Sequence, residues 1–350
     1  MPLIKSRQRD VPHYIELATR ANVPCMLWGP PGCGKSAMLI STAAKLGYGI
    51  TDIRISQLDP VDLRGLPHID RKTNTTQWAN AGFLPADPDT KNFIIFEEIT
   101  HGNDAQQAAC FQLIHDRRCG DYVMPEGCIP FAASNRSEDF SIVNRMASAL
   151  KNRFFHIEVM SSHEDWIPWA IKNGIHESVI GFINFRPAML NEFMEVGDAN
   201  RARALAEEIA FATERSWEMV SKLMHAGYHP DIEMGVISGT VGEAATAELA
   251  AYLRFYRDLP DLDKVLHDPK LLRIETITEP ATLYAIATGI AVRVTNDPDI
   301  LKKGFKIFSM MPPEYATMAI KTVIGQDNDI MDSDEFNKWA ANNASFVSSA

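Results

Sequence analysis

The sequence has little cysteine, and what it has follows no pattern. Cys25, Cys33, Cys110, Cys119 and Cys128 are its five cysteines, and no two form a C-x-x-C pair. An odd count without paired spacing argues against a secreted disulfide framework and against a zinc ribbon; reduced thiols in a cytosol fit it best. Positive charge is also scarce. Lys plus Arg number 34 against 45 Asp plus Glu, a formal net charge of -11 and a pI near 5.4, whereas a dedicated duplex-DNA binder carries a basic face and a basic balance. Nucleic acid is therefore a disfavoured partner. Long apolar runs are missing too. The longest weakly polar stretch, Leu283 to Val292, is about half of what a membrane-spanning helix needs, and the opening MPLIKSRQRD has no apolar signal core. There is no internal repeat and no low-complexity tract. With 46% hydrophobic and 23% charged residues, the composition is that of an ordinary globular chain, and the expected location is the cytoplasm.

Two further absences concern metals. The ten histidines are scattered without ligand spacing and read as structural or exposed. The acidic run DNDIMDSDE, Asp327 to Glu335, lacks the Gly and the spaced final Glu of a calcium loop. It reads as a solvated turn with a helix cap at Asp332 or Ser333.

What is present begins with a series of short apolar runs. Val23–Trp28, Gly49–Ile55, Phe93–Phe96, Ile129–Ala133 and Phe154–Val159 read as five buried strands separated by helical patterns. That alternation predicts an α/β doubly wound fold, a parallel five-stranded sheet flanked by helices on both faces. After about Met160 the strand signals fade. Residues 201–226, 240–257 and 281–294 carry apolar positions at helical spacing, and Leu259–Pro269 is polar and bounded by proline. The second half is therefore expected to be mainly helical, with a connector near 259, and Trp166, Trp169 and Trp217 are expected in its core.

The first strand runs directly into GPPGCGKS: Gly29, Pro30, Pro31, Gly32, Cys33, Gly34, Lys35, Ser36, with Ala37 opening a helical stretch. The pattern G-x-x-x-x-G-K-[ST] between a strand and a helix is a phosphate-binding loop. Glycines let backbone N–H groups turn inward around phosphate oxygens, and the following helix aims its positive end at the same point. Lys35 is placed to reach the β- and γ-phosphates, and the Ser36 hydroxyl to ligate magnesium, so Mg-ATP is the expected ligand.

The strand Phe93–Phe96 ends in Glu97-Glu98. A buried strand closing on two carboxylates after a phosphate loop resembles a Walker B element. There the first carboxylate positions magnesium (Glu97 here) and the second orients or deprotonates the attacking water (Glu98). The usual first residue is Asp; Glu is one methylene longer and must fold back to serve the metal.

Taken together, the chain resembles the MoxR-type AAA+ ATPases of the dynein-related subgroup, which includes the CbbQ and NorQ proteins. GPPGCGKS resembles that family's Walker A and FIIFEEI its Walker B. SQLDPVDLRGLP, Ser56 to Pro67, is similar to the segment preceding an insert in helix 2, with Arg71–Trp78 as the candidate insert, and RRCGDYVMPEGCIPFAASN fits a hairpin before the fourth strand. The resemblance implies an AAA+ core at residues 1–160, a helical lid at 161–258 and a C-terminal helical extension at 259–350. It also implies three further site residues. Asn135 resembles sensor 1, although an Asn there can also cap the next helix. Arg153 resembles the arginine finger, with Arg145 and Arg136 as alternatives. Arg215, in ATERSWEMVS, resembles sensor 2; Glu214 stands where the family often has Pro, and is placed to pair with Arg215.

An arginine finger supplied from a neighbour implies a homo-oligomeric ring, with a hexamer as the expected form. The family further implies a chaperone-like remodeller of a protein partner, often one with a von Willebrand factor A domain. Two rivals stand beside it. One is a nucleic-acid-linked motor or restriction-system nucleotidase. The other is an assembly scaffold that binds ATP and barely turns it over.

Overall fold

The computed structural model describes residues 4–136, 146–193, 204–205, 207–294 and 297–343. The chain divides into two compact units, Met1–Ser161 with Val196–Glu207, and Ser162–Glu195 with Glu208–Ala350.

The first unit is built on β1 (Ile4–Arg7), α1 (Val11–Ala21), β2 (Cys25–Trp28), α2 (Lys35–Leu46), β3 (Gly49–Arg54), α3 (Pro60–Arg64), β4 (Leu66–Asp70), β5 (Thr75–Ala79), β6 (Asn92–Glu97), α4 (Asp104–His115), β7 (Arg118–Cys119), β8 (Tyr122–Val123), β9 (Cys128–Ser134), α5 (Ser148–Lys151) and β10 (Phe155–Met160). Its main sheet is parallel throughout, in the order β1-β10-β2-β9-β6-β3. The five expected strands are all in it, and β1 adds a sixth at the edge. IKSR has no apolar run, and only Ser6 of its four residues is buried, so the sequence carried no strand signal there.

Successive side chains of β6 point to opposite faces, as a pleated strand requires. Phe93 and Ile95 join the cluster with Val11, Ile15, Leu39 and Phe131. Ile94 and Phe96 join the cluster with Ile53, Leu113 and Ala132. A strand buried on both sides has no polar alternation, which is why it reads as a continuous apolar run.

The register brings three strand ends together. Trp28 lies opposite Ser134, and Glu97 opposite Ala133, so Gly29, Glu98 and Asn135 leave the sheet side by side. Ligands of open α/β sheets sit beyond such carboxyl ends.

Two small hairpins, β4–β5 and β7–β8, complete the unit. The expected insert at Arg71–Trp78 is larger than the sequence suggested, because pairing already begins at Leu66 opposite Ala79. Gly65 makes this closure possible: its φ is +83°, and a Cβ there would lie 2.0 Å from the Ala79 carbonyl oxygen. The two hairpins are joined where Trp78 N–H donates to Asp121 Oδ2 at 2.9 Å.

The second unit is helical: α6 (His163–Lys172), α7 (Glu177–Phe185), α8 (Glu214–Ala226), α9 (Glu233–Arg257), α10 (Leu262–His267), α11 (Pro280–Arg293), α12 (Pro298–Phe308), α13 (Pro313–Gln326) and α14 (Asp334–Asn342). It holds two apolar clusters, one around Trp217, Phe182 and Leu249 and one around Ile290, Phe308 and Val323. Several sequence readings need correction. The helical pattern expected over 201–226 is interrupted: residues 204–205 and 207 are helical, 208–213 are not, and a new helix starts at Glu214, where Thr213 and Ser216 form a capping box. Helix α9 begins at Glu233, before the expected 240, and breaks helical geometry at Gly242 (φ 83°). The expected connector at Leu259–Pro269 contains α10, capped by Asp261. Trp166 and Trp217 are buried, but Trp169 is 42% exposed. Ser333 caps α14 by accepting from Phe336 N–H at 3.2 Å. Among the described residues no helix is long and apolar enough to cross a membrane.

An ion-pair network ties four of these helices. Arg293 Nη1 donates to Glu177 Oε2 at 2.5 Å and Arg293 Nε to Asp263 Oδ1 at 2.9 Å, while Tyr256 OH donates to Glu177 Oε1. Burial pushes the Glu177 carboxyl up, but hydrogen bonds from Arg293 and Tyr256 outweigh it and leave the pKa below its usual value. Arg293→Ala strands a partly buried carboxylate and is expected to cost about 1–3 kcal/mol, read as a lower denaturant midpoint. A lowered folded-state pKa gives stability that is full above the ordinary carboxylate range and is lost as pH falls through the folded value. The gap between Arg293→Ala and wild type therefore narrows on acidification.

Candidate nucleotide-binding site

The loop after β2 turns on two left-handed glycines, Gly32 (φ 74°) and Gly34 (φ 83°). Gly34 precedes α2 without any side-chain cap, so the first-turn N–H groups of that helix remain available to a ligand. A side chain at Gly29 would be crowded: a Cβ would meet Cys33 Sγ at 3.0 Å and the Val159 carbonyl oxygen at 3.2 Å. Pro30 and Cys33 are buried, Pro31 and Gly32 half-buried, and Ala37 exposed. Gln8 Nε2 donates to the Cys33 carbonyl at 3.0 Å, a contact from the unpredicted edge of the sheet.

Lys35 folds back over this loop. Its Nζ donates to Gly29 O at 2.9 Å, Pro30 O at 2.8 Å and Asn135 Oδ1 at 3.0 Å, with Cys33 Sγ a longer contact at 3.9 Å. Asn135 comes directly after β9, which pairs with β2, and this brings a residue 100 positions away onto the phosphate-loop lysine.

Ser36, in the first turn of α2, lies beside the Glu97 carboxylate at the end of β6, close enough to draw its pKa downward. Burial, with Asp52 nearby, pushes the Glu97 carboxyl up, while Ser36 and the charges of Lys35 and Arg54 pull the other way. A hydroxyl beside a carboxylate is a pair of hard oxygen donors, which suits magnesium.

Glu98 leaves the strand in the left-handed region (φ 55°, ψ 38°), an uncommon conformation for a residue with a side chain. Its N–H donates to Ala133 O at 2.9 Å. Its Oε2 accepts from Ser56 Oγ at 3.4 Å and lies 3.1 Å from His101 Nδ1. Sequence reasoning missed His101, whose relation to Glu98 exists only because a one-turn 3-10 helix, Ile99–His101, follows the left-handed residue.

The arginines fall in different settings. Arg136 is drawn inward, with Nη1 3.2 Å from Glu158 Oε1. Arg153 is exposed just before β10, with Nη2 3.4 Å from His115 Nε2. Arg145 lies outside the described residues. In the second unit, Arg215 is exposed in the first turn of α8. Its neighbour Glu214 is 5% exposed and accepts from Asn191 Nδ2 at 2.6 Å. All five cysteines are free and buried, and among the described residues no cluster of His, Cys, Asp and Glu forms a metal site.

A family model described as AAA domain (dynein-related subfamily) matches residues 24–154, from the residue before β2 to the residue before β10. The matched residues all lie in the first unit. The chain is also similar to midasin of Giardia intestinalis, 27% identical over a 221-residue alignment that covers 59% of this chain and 4% of that protein. The chain thus spans only a small fraction of that relative. Among solved structures, NtrX of Brucella abortus is similar at 11% identity, covering 90% of this chain and 67% of that chain with a TM-score of 0.40. The RuvB Holliday junction branch migration motor of Thermotoga maritima is similar at 17% identity, covering 85% and 88% with a TM-score of 0.34. Scores this low add nothing to the sheet order described above.

Proposed function

We propose that the AAA domain binds Mg-ATP and hydrolyses it, and that the chain works as a ring-forming ATPase of MoxR type. One observation carries this reading: Lys35 with Asn135, Ser36 with Glu97, and Glu98 are collected at the carboxyl ends of three adjacent strands.

In this reading the backbone N–H groups of Gly32–Ser36 and the Lys35 ammonium hold the phosphates, at the cost of the bonds Lys35 makes to its own loop. Ser36 and Glu97 would hold a magnesium ion, which when bound would supply charge compensation for the phosphates. Glu98 accepts a proton from a water whose oxygen attacks the γ-phosphorus. The bond from that phosphorus to the β–γ bridging oxygen breaks, leaving ADP and phosphate. Asn135 serves as the polar sensor beside the γ-phosphate, and Arg215 as the lid's contribution.

Arg153 is the arginine finger in this proposal. It is exposed, whereas Arg136 is ion-paired to Glu158. Arg153→Ala is expected to bind ATP almost as wild type does and to lose about a thousandfold or more in hydrolysis. Unchanged turnover would remove Arg153 from the role. A finger acting on a neighbour requires a ring, with a hexamer as the expected form, and remodelling of a protein partner, for instance one with a von Willebrand factor A domain, as its output.

The test is steady-state phosphate release with Mg-ATP over a series of protein concentrations. Activity rising steeply with concentration supports a ring. ATP binding and ring assembly without release would favour the scaffold reading, for which Glu97 in place of the usual Asp is the supporting observation. Stimulation by DNA or RNA would favour the nucleic-acid motor.

A further inference from the structure

We propose that His101 is a positioning residue for the reaction at Glu98, gripping one oxygen of its carboxylate so that the other is left to accept from water. This rests on the ATPase reading. An ionised carboxylate only accepts hydrogen bonds, so the 3.1 Å contact assigns the proton to His101 Nδ1. Ser56 Oγ approaches the same oxygen, Oε2. No described residue bonds Oε1, and the Glu98 side chain is 49% exposed. Ungripped, a carboxylate on three rotatable bonds at a half-open surface samples many directions.

The grip is rigid because the turn that carries His101 is held from several sides. His101 N–H donates to Glu98 O at 2.8 Å, closing the turn on the residue it positions. Thr100 and Ser134 share a buried hydroxyl hydrogen bond to the end of β9. Gln106, in the capping box of α4, donates to Ile55 O at 3.0 Å and Leu58 O at 2.5 Å. The Thr100 bond fastens the turn to β9, and the Gln106 bonds fasten the start of α4, just after the turn, to the 3-10 segment Ile55–Gln57 that bears Ser56. Close packing reinforces them: a Cβ at Gly102 would come within 2.5 Å of Ile55 Cγ2. Oriented groups gain rate through geometry, and a misplacement of about 1 Å can cost on the order of a hundredfold.

The experiment uses the full chain and three substitutions at one position. His101→Leu keeps an apolar side chain of similar breadth without a donor. His101→Asn offers an amide N–H where the imidazole Nδ1 stood, and His101→Gln offers one an atom further out. The expected result is a kcat about tenfold or more lower for Leu with KM unchanged, recovery to within about threefold for Asn, and little recovery for Gln. A merely structural role would not sort Asn from Gln. Imidazole nitrogen shifts of nucleotide-free protein provide a second readout, with His101 expected as the Nδ1–H tautomer in wild type and no longer held in it in Glu98→Ala. Unchanged or raised kcat in His101→Leu overturns the inference alone, as does an Nε2–H tautomer in wild type. Absence of turnover in wild type overturns the functional reading itself.

Discussion

Lys35→Ala is expected to lower ATP affinity by a factor of about a hundred to ten thousand. The ammonium is the group placed to meet the β- and γ-phosphates, and two charge-assisted hydrogen bonds at roughly 1.5–3 kcal/mol each give about 3–6 kcal/mol. The loop suffers as well. Gly29 O, Pro30 O and Asn135 Oδ1 all accept from Nζ, and all three lose that donor in the variant. Titration calorimetry with ATP measures the first effect. A thermal melt without nucleotide measures the second, and separates a loosened loop from a lost phosphate contact. ATP affinity retained within a few-fold would sink the assignment of Gly29–Ser36 as the phosphate loop.

Glu98→Gln is expected to bind Mg-ATP normally and to release phosphate about a hundred to ten thousand times more slowly, the range a positioned base contributes. The amide keeps the size of the side chain and can still accept from Ser56 and His101 through its oxygen. What it loses is the capacity to take a proton. Affinity and turnover should therefore separate in this variant, whereas in Lys35→Ala they fall together. Single-turnover hydrolysis at saturating ATP provides the measurement. Near-wild-type turnover would move the base to another residue and remove the basis for the role given to His101.

The sequence by itself determined those features whose causes are local. An apolar run that must be buried on both faces is legible as such, so the five core strands could be read directly from Val23–Trp28, Gly49–Ile55, Phe93–Phe96, Ile129–Ala133 and Phe154–Val159. A phosphate loop is legible because its glycines, lysine and serine are consecutive. What only the tertiary structure decided are relations between distant residues. Lys35 meets Asn135 because β9 pairs with β2, and Ser36 meets Glu97 through the packing of α2 at the end of β6. Arg136 turns inward to Glu158 while Arg153 stays outside, although both are arginines near strand ends. Trp169 is exposed and Trp166 buried, three positions apart on one helix. The edge strand β1 and the grip of His101 on Glu98 had no signal at all. One depends on a neighbouring strand to complete its hydrogen bonds, and the other on a left-handed residue that starts a single tight turn. Pairing order and backbone hand are properties of the folded chain, because each is fixed by groups that meet only after the sheet has formed.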